Sequence, residues 1–191
     1  MGAKLVVQMD VESHRRAVSA RALTRAALNA MALDELGGQL RGGDIQVGVS
    51  DDAPFLVLQR VLASVLVAGG SSARLVWSGK SQEVSLGLRH LSPGEEGLLI
   101  FVVDDGASIK GPGGNVAPGC SGIGEGLAVP KRAGARDYEG LRRCAERVRL
   151  AAGVARYFLA VGAKVPFSEV RQTIEALEAA RLDLVGLRLF F

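Results

Sequence analysis

The chain has 191 residues and a formal net charge of +3, with 48% hydrophobic and 23% charged residues. This composition is typical of a globular protein, so it excludes a chain that is disordered throughout, and the length suits one domain or two small ones. The basic runs at 14–16 and 130–136 contain no interleaved aromatic residues. They therefore predict solvated surface and give nucleic-acid binding little support.

Membrane and export signals are not found in the sequence. The most apolar stretch, 55–68, is interrupted by Gln59 and Arg60, so there is no run of about 18 apolar residues that could span a membrane. The first ten residues lack the apolar core of a signal peptide. Any export signal or membrane anchor is therefore expected to be absent from the protein or removed from this chain.

The first half of the chain, 1–91, is predicted to alternate strands and helices. A serine before an alanine-rich run, glycines after it, and a proline at the start of the next helix punctuate these elements. Apolar and polar residues alternate after position 83, as in a strand with one buried face. The predicted order is strand 4–9, helix 19–36, strand 44–49, helix 55–68, strand 72–77 and strand 83–89.

The second half, 98–191, follows a predicted linker at 92–97, where proline, glycine and two acids separate apolar runs. It contains a glycine-rich loop at 111–126 that is too long for a plain turn. The predicted elements are strand 98–103, strand 107–110, helix 137–153, strand 156–161, a helix that starts after Pro166, and strand 185–191.

The two halves resemble each other at one constant spacing, the spacing between Pro54 and Pro166, which we call the repeat offset. At this offset Phe55 corresponds to Phe167, and the apolar positions of the two proline-started helices share one phase. Each half reads strand, helix, strand, proline-started helix, strand. We therefore predict an α/β fold, a two-layer α+β sandwich built from tandem duplicated units, each a small sheet covered by two helices.

Motifs that suggest catalysis all have a simpler explanation. The pair Gly79–Lys80 lacks the glycine five positions earlier that a P-loop requires, and a strand follows it, so a hairpin turn is predicted. The glycine pattern at 122–126 follows no strong strand, and the aspartates at 104–105 precede a glycine as in a turn. The two histidines have no partners at ligand spacing. We therefore assign no catalytic, cofactor-binding or metal-binding residue.

The two cysteines permit two interpretations. Cys144 lies on the inward side of its predicted helix, and Cys120 lies in the loop that leads to it. In an oxidising compartment, a disulfide between them would attach the loop to the helix and contribute about 3 kcal/mol. Otherwise both are reduced thiols, one of them in the core. The residues alone leave both alternatives open.

The C-terminal half resembles a known family. The stretch "FLAVGAKVPFSEVRQTIEALEAA" at 158–180, with "VGLRLFF" at 185–191, is similar to the end of the periplasmic domain of the ExbD/TolR family, the stator subunits of proton-driven envelope motors. Residues 117–149 further resemble the enlarged, cysteine-containing version of that domain. The resemblance is good over 98–191. Over 1–91 it is fainter and depends on "DAPFLVLQRVL" at 52–62.

This resemblance implies a non-enzymatic protein without a cofactor, located in the periplasm and anchored to the inner membrane by one N-terminal helix. It implies a homodimer, an ExbB/TolQ/MotA-like channel as partner, and an outer-membrane or periplasmic effector. TolR-like members also bind peptidoglycan. The family's proton-carrying aspartate lies in the anchor helix, which this sequence lacks, so no residue receives that role. The periplasmic location favours a disulfide between Cys120 and Cys144.

Two other functions fit the sequence. One is a periplasmic module that binds peptidoglycan or protein without a motor partner, and the other is a small cytoplasmic enzyme that uses the glycine-rich loop for a phosphate ligand. A native transmembrane segment before residue 1 would favour the stator over the free module. Calorimetry with nucleotides and sugar phosphates tests the enzyme.

One apolar surface distinguishes the two halves. Leu56, Val57 and Val67 stand where the second half has Ser168, Glu169 and Ala179. Because apolar patches of this size rarely remain bare, we expect these residues to pack against the second half or against a second copy of the protein.

Overall fold

The computed structural model describes residues 6–11, 14–19, 44–49, 51, 53–67, 70–88, 96–111, 129–131 and 133–189. Residues 20–36 of the helix predicted at 19–36 and most of the glycine-rich loop lie outside these residues, while Ser19 ends a strand. The described elements are β1 (Val6–Val11), β2 (His14–Ser19), β3 (Asp44–Gly48), α1 (Phe55–Val67), β4 (Ser72–Trp77), β5 (Lys80–Leu88), β6 (Leu98–Val103), β7 (Gly106–Lys110), β8 (Val129–Pro130), α2 (Tyr138–Ala152), β9 (Arg156–Val161), α3 (Phe167–Ala179) and β10 (Asp183–Leu189).

The ten described strands form one continuous sheet, in the order β2-β1-β3-β4-β5-β10-β9-β6-β7-β8. The predicted α/β class is confirmed, but the prediction of a separate small sheet in each half is wrong. The reason is β5, which pairs antiparallel with β4 on one side and parallel with β10 on the other. Strands β2 and β8 were not predicted, because one lies in a basic run and the other is two residues long.

Two segments of the chain, β3-α1-β4 and β9-α3-β10, have the same arrangement. In each, two neighbouring parallel strands are joined by a helix. The first and last residues of α3 are the equivalents, at the repeat offset, of the first and last residues of α1. The strand registers agree at the same offset, since Val47 pairs with Leu75 and Leu159 pairs with Leu187.

The starts of α1 and α3 meet at an antiparallel bridge between Pro54 and Pro166. Proline has no N–H group, so this pair exchanges no hydrogen bond, and the neighbouring residues make the bonds instead. Four backbone bonds flank the bridge: Phe55 N to Val165 O (2.9 Å), Phe167 N to Ala53 O (2.9 Å), Leu56 N to Ala163 O (3.0 Å) and Ser168 N to Asp51 O (2.9 Å). Each bond made by one segment has a counterpart at the equivalent residues of the other.

The main hydrophobic core lies between the helices and one face of the sheet. Phe55 and Phe167 are both buried in it, and each contributes about 2–3 kcal/mol by leaving water. The Trp77 ring meets the Phe167 ring edge-on, with 6.0 Å between the ring centroids, so β4 contacts α3 directly. The predicted apolar phase of the two helices is confirmed, because the following residues are all buried: Leu58, Leu62, Val65, Val170, Ile174 and Leu177.

Local signals explain several boundaries. The Asp137 side chain accepts a hydrogen bond from Gly140 N at 2.7 Å at the start of α2, and Gly153 ends that helix in the left-handed conformation. Ser78 and Gly79 both have positive φ angles, 45° and 79°, as in a tight two-residue hairpin turn. The predicted hairpin at 78–81 is therefore confirmed, as is the turn at 104–105 between β6 and β7.

Candidate functional site

Of the two cysteines in the predicted disulfide, the structure describes Cys144. Cys144 is buried on the inner side of α2 beside Leu141 and Ala145, and it is disulfide-bonded. The chain has two cysteines, and Cys120 lies outside the described residues. The pairing of Cys120 with Cys144 therefore stays a prediction, although the burial of Cys144 agrees with the predicted inward orientation.

An ionic cluster of Glu169, Arg136 and Lys131 lies between the first turn of α3 and the segment that precedes α2; we call it the Glu169 cluster. Its centre is Arg136, whose side chain is 1% exposed. The Arg136 guanidinium donates hydrogen bonds to Val103 O and Gly106 O, which flank the turn between β6 and β7. It also donates to the Glu169 carboxylate at 2.7 Å. Both terminal nitrogens of the guanidinium, Nη1 and Nη2, thus donate hydrogen bonds.

Lys131 completes the cluster, because its Nζ lies 3.0 Å from the second carboxylate oxygen of Glu169. Burial alone would raise the pKa of Glu169, but the hydrogen bonds from Arg136 and Lys131 outweigh burial, and the pKa is lowered. The carboxylate therefore remains charged at neutral pH, with both oxygens occupied by cations. This geometry suits an anchor that holds the chain against α3, and it does not suit a proton acceptor.

The Glu169 cluster corrects the sequence prediction for 130–136. That basic run was predicted to be solvated surface, yet Arg136 is buried and Lys131 is half-buried. The cause is long-range pairing: Glu169 lies 33 residues beyond Arg136, and the carbonyl of Gly106 lies 30 residues before it. No local pattern in the run itself points to these partners.

A second ion pair crosses the bridge between Pro54 and Pro166. The Arg171 guanidinium contacts the Asp51 carboxylate through two nitrogens, at 3.0 and 3.2 Å, and its third nitrogen lies 3.0 Å from Glu175. The Arg171 side chain is 21% exposed and that of Asp51 46%, so water screens the pair and its contribution to stability is about 1 kcal/mol or less. Its two-point geometry fixes the orientation of residue 51 relative to α3.

The predicted interface residues are partly accessible. Leu56 is 37% exposed and Val67 is 68% exposed, while the Val57 side chain lies outside the described residues. Leu150 on α2 is 67% exposed and was not among the predicted interface residues, although its exposure agrees with its place outside the predicted inward face of that helix. Contact of Leu56, Val57 and Val67 with the second half or with a second copy stays a prediction.

The opposite face of the sheet carries a smaller hydrophobic cluster formed by Leu99, Phe101, Phe158 and Ala160. The buried Arg188 guanidinium lies over the Phe158 ring, 4.0 Å from its centroid, as a cation–π contact. Gly87 on the neighbouring strand leaves room for that guanidinium, since a Cβ there would lie 2.9 Å from its Nη1. No local pattern in the sequence points to this arrangement.

None of the described residues forms a group of three or more histidine, cysteine, aspartate or glutamate side chains suited to a metal ion. Within the same part of the chain, no helix is long and apolar enough to cross a membrane. No protein-family model matches the sequence, and neither does any curated protein.

Proposed function

We propose that the protein is the periplasmic part of a proton-driven motor stator of the ExbD/TolR type, which transmits force to an outer-membrane or cell-wall partner. The observation that carries the proposal is the folding of 156–189 as a strand, a tight turn, a proline-started helix and a parallel strand. This is the element order that the sequence resemblance implies for the end of such a domain.

The proposal includes an internal duplication. The equal lengths of α1 and α3, the equal strand registers and the reciprocal hydrogen bonds around Pro54 and Pro166 support two copies of one β-α-β segment. Two unrelated segments would have no reason to share helix bounds and strand registers at a single offset. The division into 1–91, a linker at 92–97 and 98–191 remains part of this proposal.

The periplasmic location is supported by the disulfide at Cys144. Disulfides form and persist in oxidising compartments, and they are rare where glutathione keeps thiols reduced. In this view the bridge to Cys120 attaches the glycine-rich loop to α2, and an N-terminal membrane helix outside this sequence holds the protein at the inner membrane.

The proposed mechanism is mechanical, and the proposed partners are an ExbB/TolQ/MotA-like channel, an effector in the periplasm or outer membrane, and peptidoglycan. Proton flow through the channel would move the anchored end of the protein. Because β5 hydrogen-bonds to both halves, a displacement of one half would reach the other through the ladder of the sheet. No residue of this chain needs to carry a proton in that scheme.

The experiment is partner identification in the source organism. An epitope-tagged protein at its native locus is cross-linked in intact cells, purified, and its partners are identified by mass spectrometry. We expect an ExbB/TolQ/MotA-like polytopic protein that disappears from the sample when its own gene is deleted. A tagged, unrelated periplasmic protein provides the control.

Other outcomes would point to the rival functions. Co-sedimentation of the purified protein with isolated peptidoglycan sacculi, together with no channel protein in the cross-linked sample, would replace the stator with a free binding module. Saturable heat release with nucleotides or sugar phosphates in calorimetry would instead favour the small enzyme and would contradict the proposal.

A further inference from the structure

The centre of the sheet has a two-fold relation that runs through Val84, a buried residue in the middle of β5. Residues of β4 and β10 that are equivalent at the repeat offset pair with β5 residues that lie equally far before and after Val84. The matched pairs are Arg74–Glu83 with Gly186–Ser85, Leu75–Gln82 with Leu187–Leu86, Val76–Ser81 with Arg188–Gly87, and Trp77–Lys80 with Leu189–Leu88.

The bridge between Pro54 and Pro166 obeys the same relation. Phe55 N donates to Val165 O while Phe167 N donates to Ala53 O, so the two sides exchange the same bonds. A contact in which each side uses one and the same surface patch is the mark of an isologous interface, the type found in two-fold homodimers. Here both sides belong to a single chain.

The relation stops at the outer strands. β1 is antiparallel to β3, whereas β6 is parallel to β9. Within the described residues of 44–77 and 156–189, the symmetry therefore covers β3, α1 and β4 with β9, α3 and β10. The matching geometry is therefore confined to the two segments that contact each other at the proline bridge and contact β5 from its two sides.

We infer that the segments 44–77 and 156–189 form a built-in dimer, in which the surface that would join two separate copies is occupied within one chain. The inference rests on the duplication proposed above. In a motor that takes two copies of a single-unit stator protein, one copy of this chain would then fill both places. Leu56 contributes its backbone N–H to the proline bridge, so the predicted association of two chains through Leu56, Val57 and Val67 would depend on their side chains.

The test asks whether the proline bridge forms within one chain or between two. Residues directly opposite each other in a non-hydrogen-bonded antiparallel pair have Cα atoms about 4.5 Å apart, which a disulfide can span. The full chain is therefore prepared as Pro54→Cys/Pro166→Cys and oxidised at two protein concentrations 100-fold apart. Non-reducing electrophoresis gives the mass, and peptide mass spectrometry identifies the linked positions.

We expect a link between positions 54 and 166 in a species of single-chain mass at both concentrations. The single variants Pro54→Cys and Pro166→Cys are the controls and should retain one reactive thiol each. A linked species of twice the chain mass would overturn the inference, because the halves would then pair between copies. Two unlinked thiols in the folded double variant would overturn it as well.

A second variant decides the matter if replacement of the prolines prevents folding. Asp51→Cys/Arg171→Cys replaces the exposed ion pair across the same bridge, and a short bis-maleimide links the two thiols. A link within one chain supports the inference, while a link between chains or no link contradicts it. Neither experiment involves a channel protein, so failure of the stator proposal would leave these results unchanged.

Discussion

At the scale of single residues, the Glu169 cluster is the arrangement with the largest energetic consequence. Arg136 is removed from water, and a buried guanidinium costs several kcal/mol unless its charge and its N–H groups are all matched. The two carbonyls at the turn between β6 and β7 satisfy part of the fork, and Glu169 supplies the opposite charge. Removal of the carboxylate charge therefore leaves an uncompensated cation in the protein.

We predict that Glu169→Gln lowers the free energy of unfolding by about 2–3 kcal/mol, measured by urea denaturation at pH 7. Glu175→Gln is the matched control on the same helix, because Glu175 pairs with Arg171 at the surface. Its expected cost is about 0.5 kcal/mol or less. Equal effects of the two variants would contradict the central role of the buried arginine.

The lowered pKa of Glu169 predicts a pH dependence. Its contribution to stability is fully present above the ordinary glutamate pKa of 4.5 and is lost as the pH falls through the lower pKa of the folded state. The difference in unfolding free energy between the parent and Glu169→Gln should therefore be constant near neutral pH and shrink in acid. Urea denaturation between pH 7 and pH 3 measures it. A difference that grows below pH 4.5 would refute this assignment.

At the scale of elements, α1 and α3 are helices of equal length whose bounds are equivalent at the repeat offset. Their buried positions match, but the outer face of α1 carries Leu56 and Val67 where α3 carries Ser168 and Ala179. Substitutions at the buried positions therefore test whether the two helices pack in the same way, and substitutions at the outer positions test what differs between the halves. Each comparison provides its own matched control.

We predict that Leu62→Ala and Ile174→Ala each lower the unfolding free energy by about 3 kcal/mol, because both side chains are buried at equivalent positions. Val67→Ala, on the exposed face of α1, should change it by about 0.5 kcal/mol or less. Urea denaturation of the three variants is the measurement. A cost at Leu62 of less than half the cost at Ile174 would mean that the two helices are not packed equivalently.

For the outer face, we predict that Leu56→Glu/Val57→Glu reduces the sedimentation coefficient at high protein concentration, because charge at an apolar contact between two chains opposes association. The matched variant is Ser168→Glu, at the position on α3 that is equivalent to Leu56. It should sediment like the parent. If the double variant also sediments and melts like the parent, these residues do not form an interface.

The elements were largely predictable from the sequence, and their assembly was not. Alternation over 83–89, the helical phases and Pro54 and Pro166 identify elements because these signals are local. The pairings of β5 with β10 and of Arg136 with Glu169 join residues that are far apart in the sequence. A strand with one buried face has the same alternation of apolar and polar residues whether one of its edges or both are paired. The cation–π contact of Arg188 likewise depends on neighbouring strands.

At the scale of the whole molecule, Cys144 is disulfide-bonded, and Cys120, the other cysteine of the chain, is its predicted partner. We predict that the protein, unfolded without reductant, shows no reactive thiol by titration, and two thiols after reduction. Two thiols before reduction would count against the bridge to Cys120 and against the periplasm. Reduction should lower the free energy of unfolding by about 3 kcal/mol, because the bridge closes a loop of about 25 residues.

The position of β5 determines where the chain can be truncated. A fragment that begins at Glu96 would retain α2, α3 and the strands around them, but β10 would become an outermost strand with its N–H and C=O groups facing water along one side. Such a bare edge recruits other strands, so the truncated protein would tend to aggregate. The fragment would also lose the contact of Phe167 with Trp77, because residues of both halves form one core. Fragments that begin at the predicted linker would thus be insoluble because β5, the strand that pairs with β10, is missing.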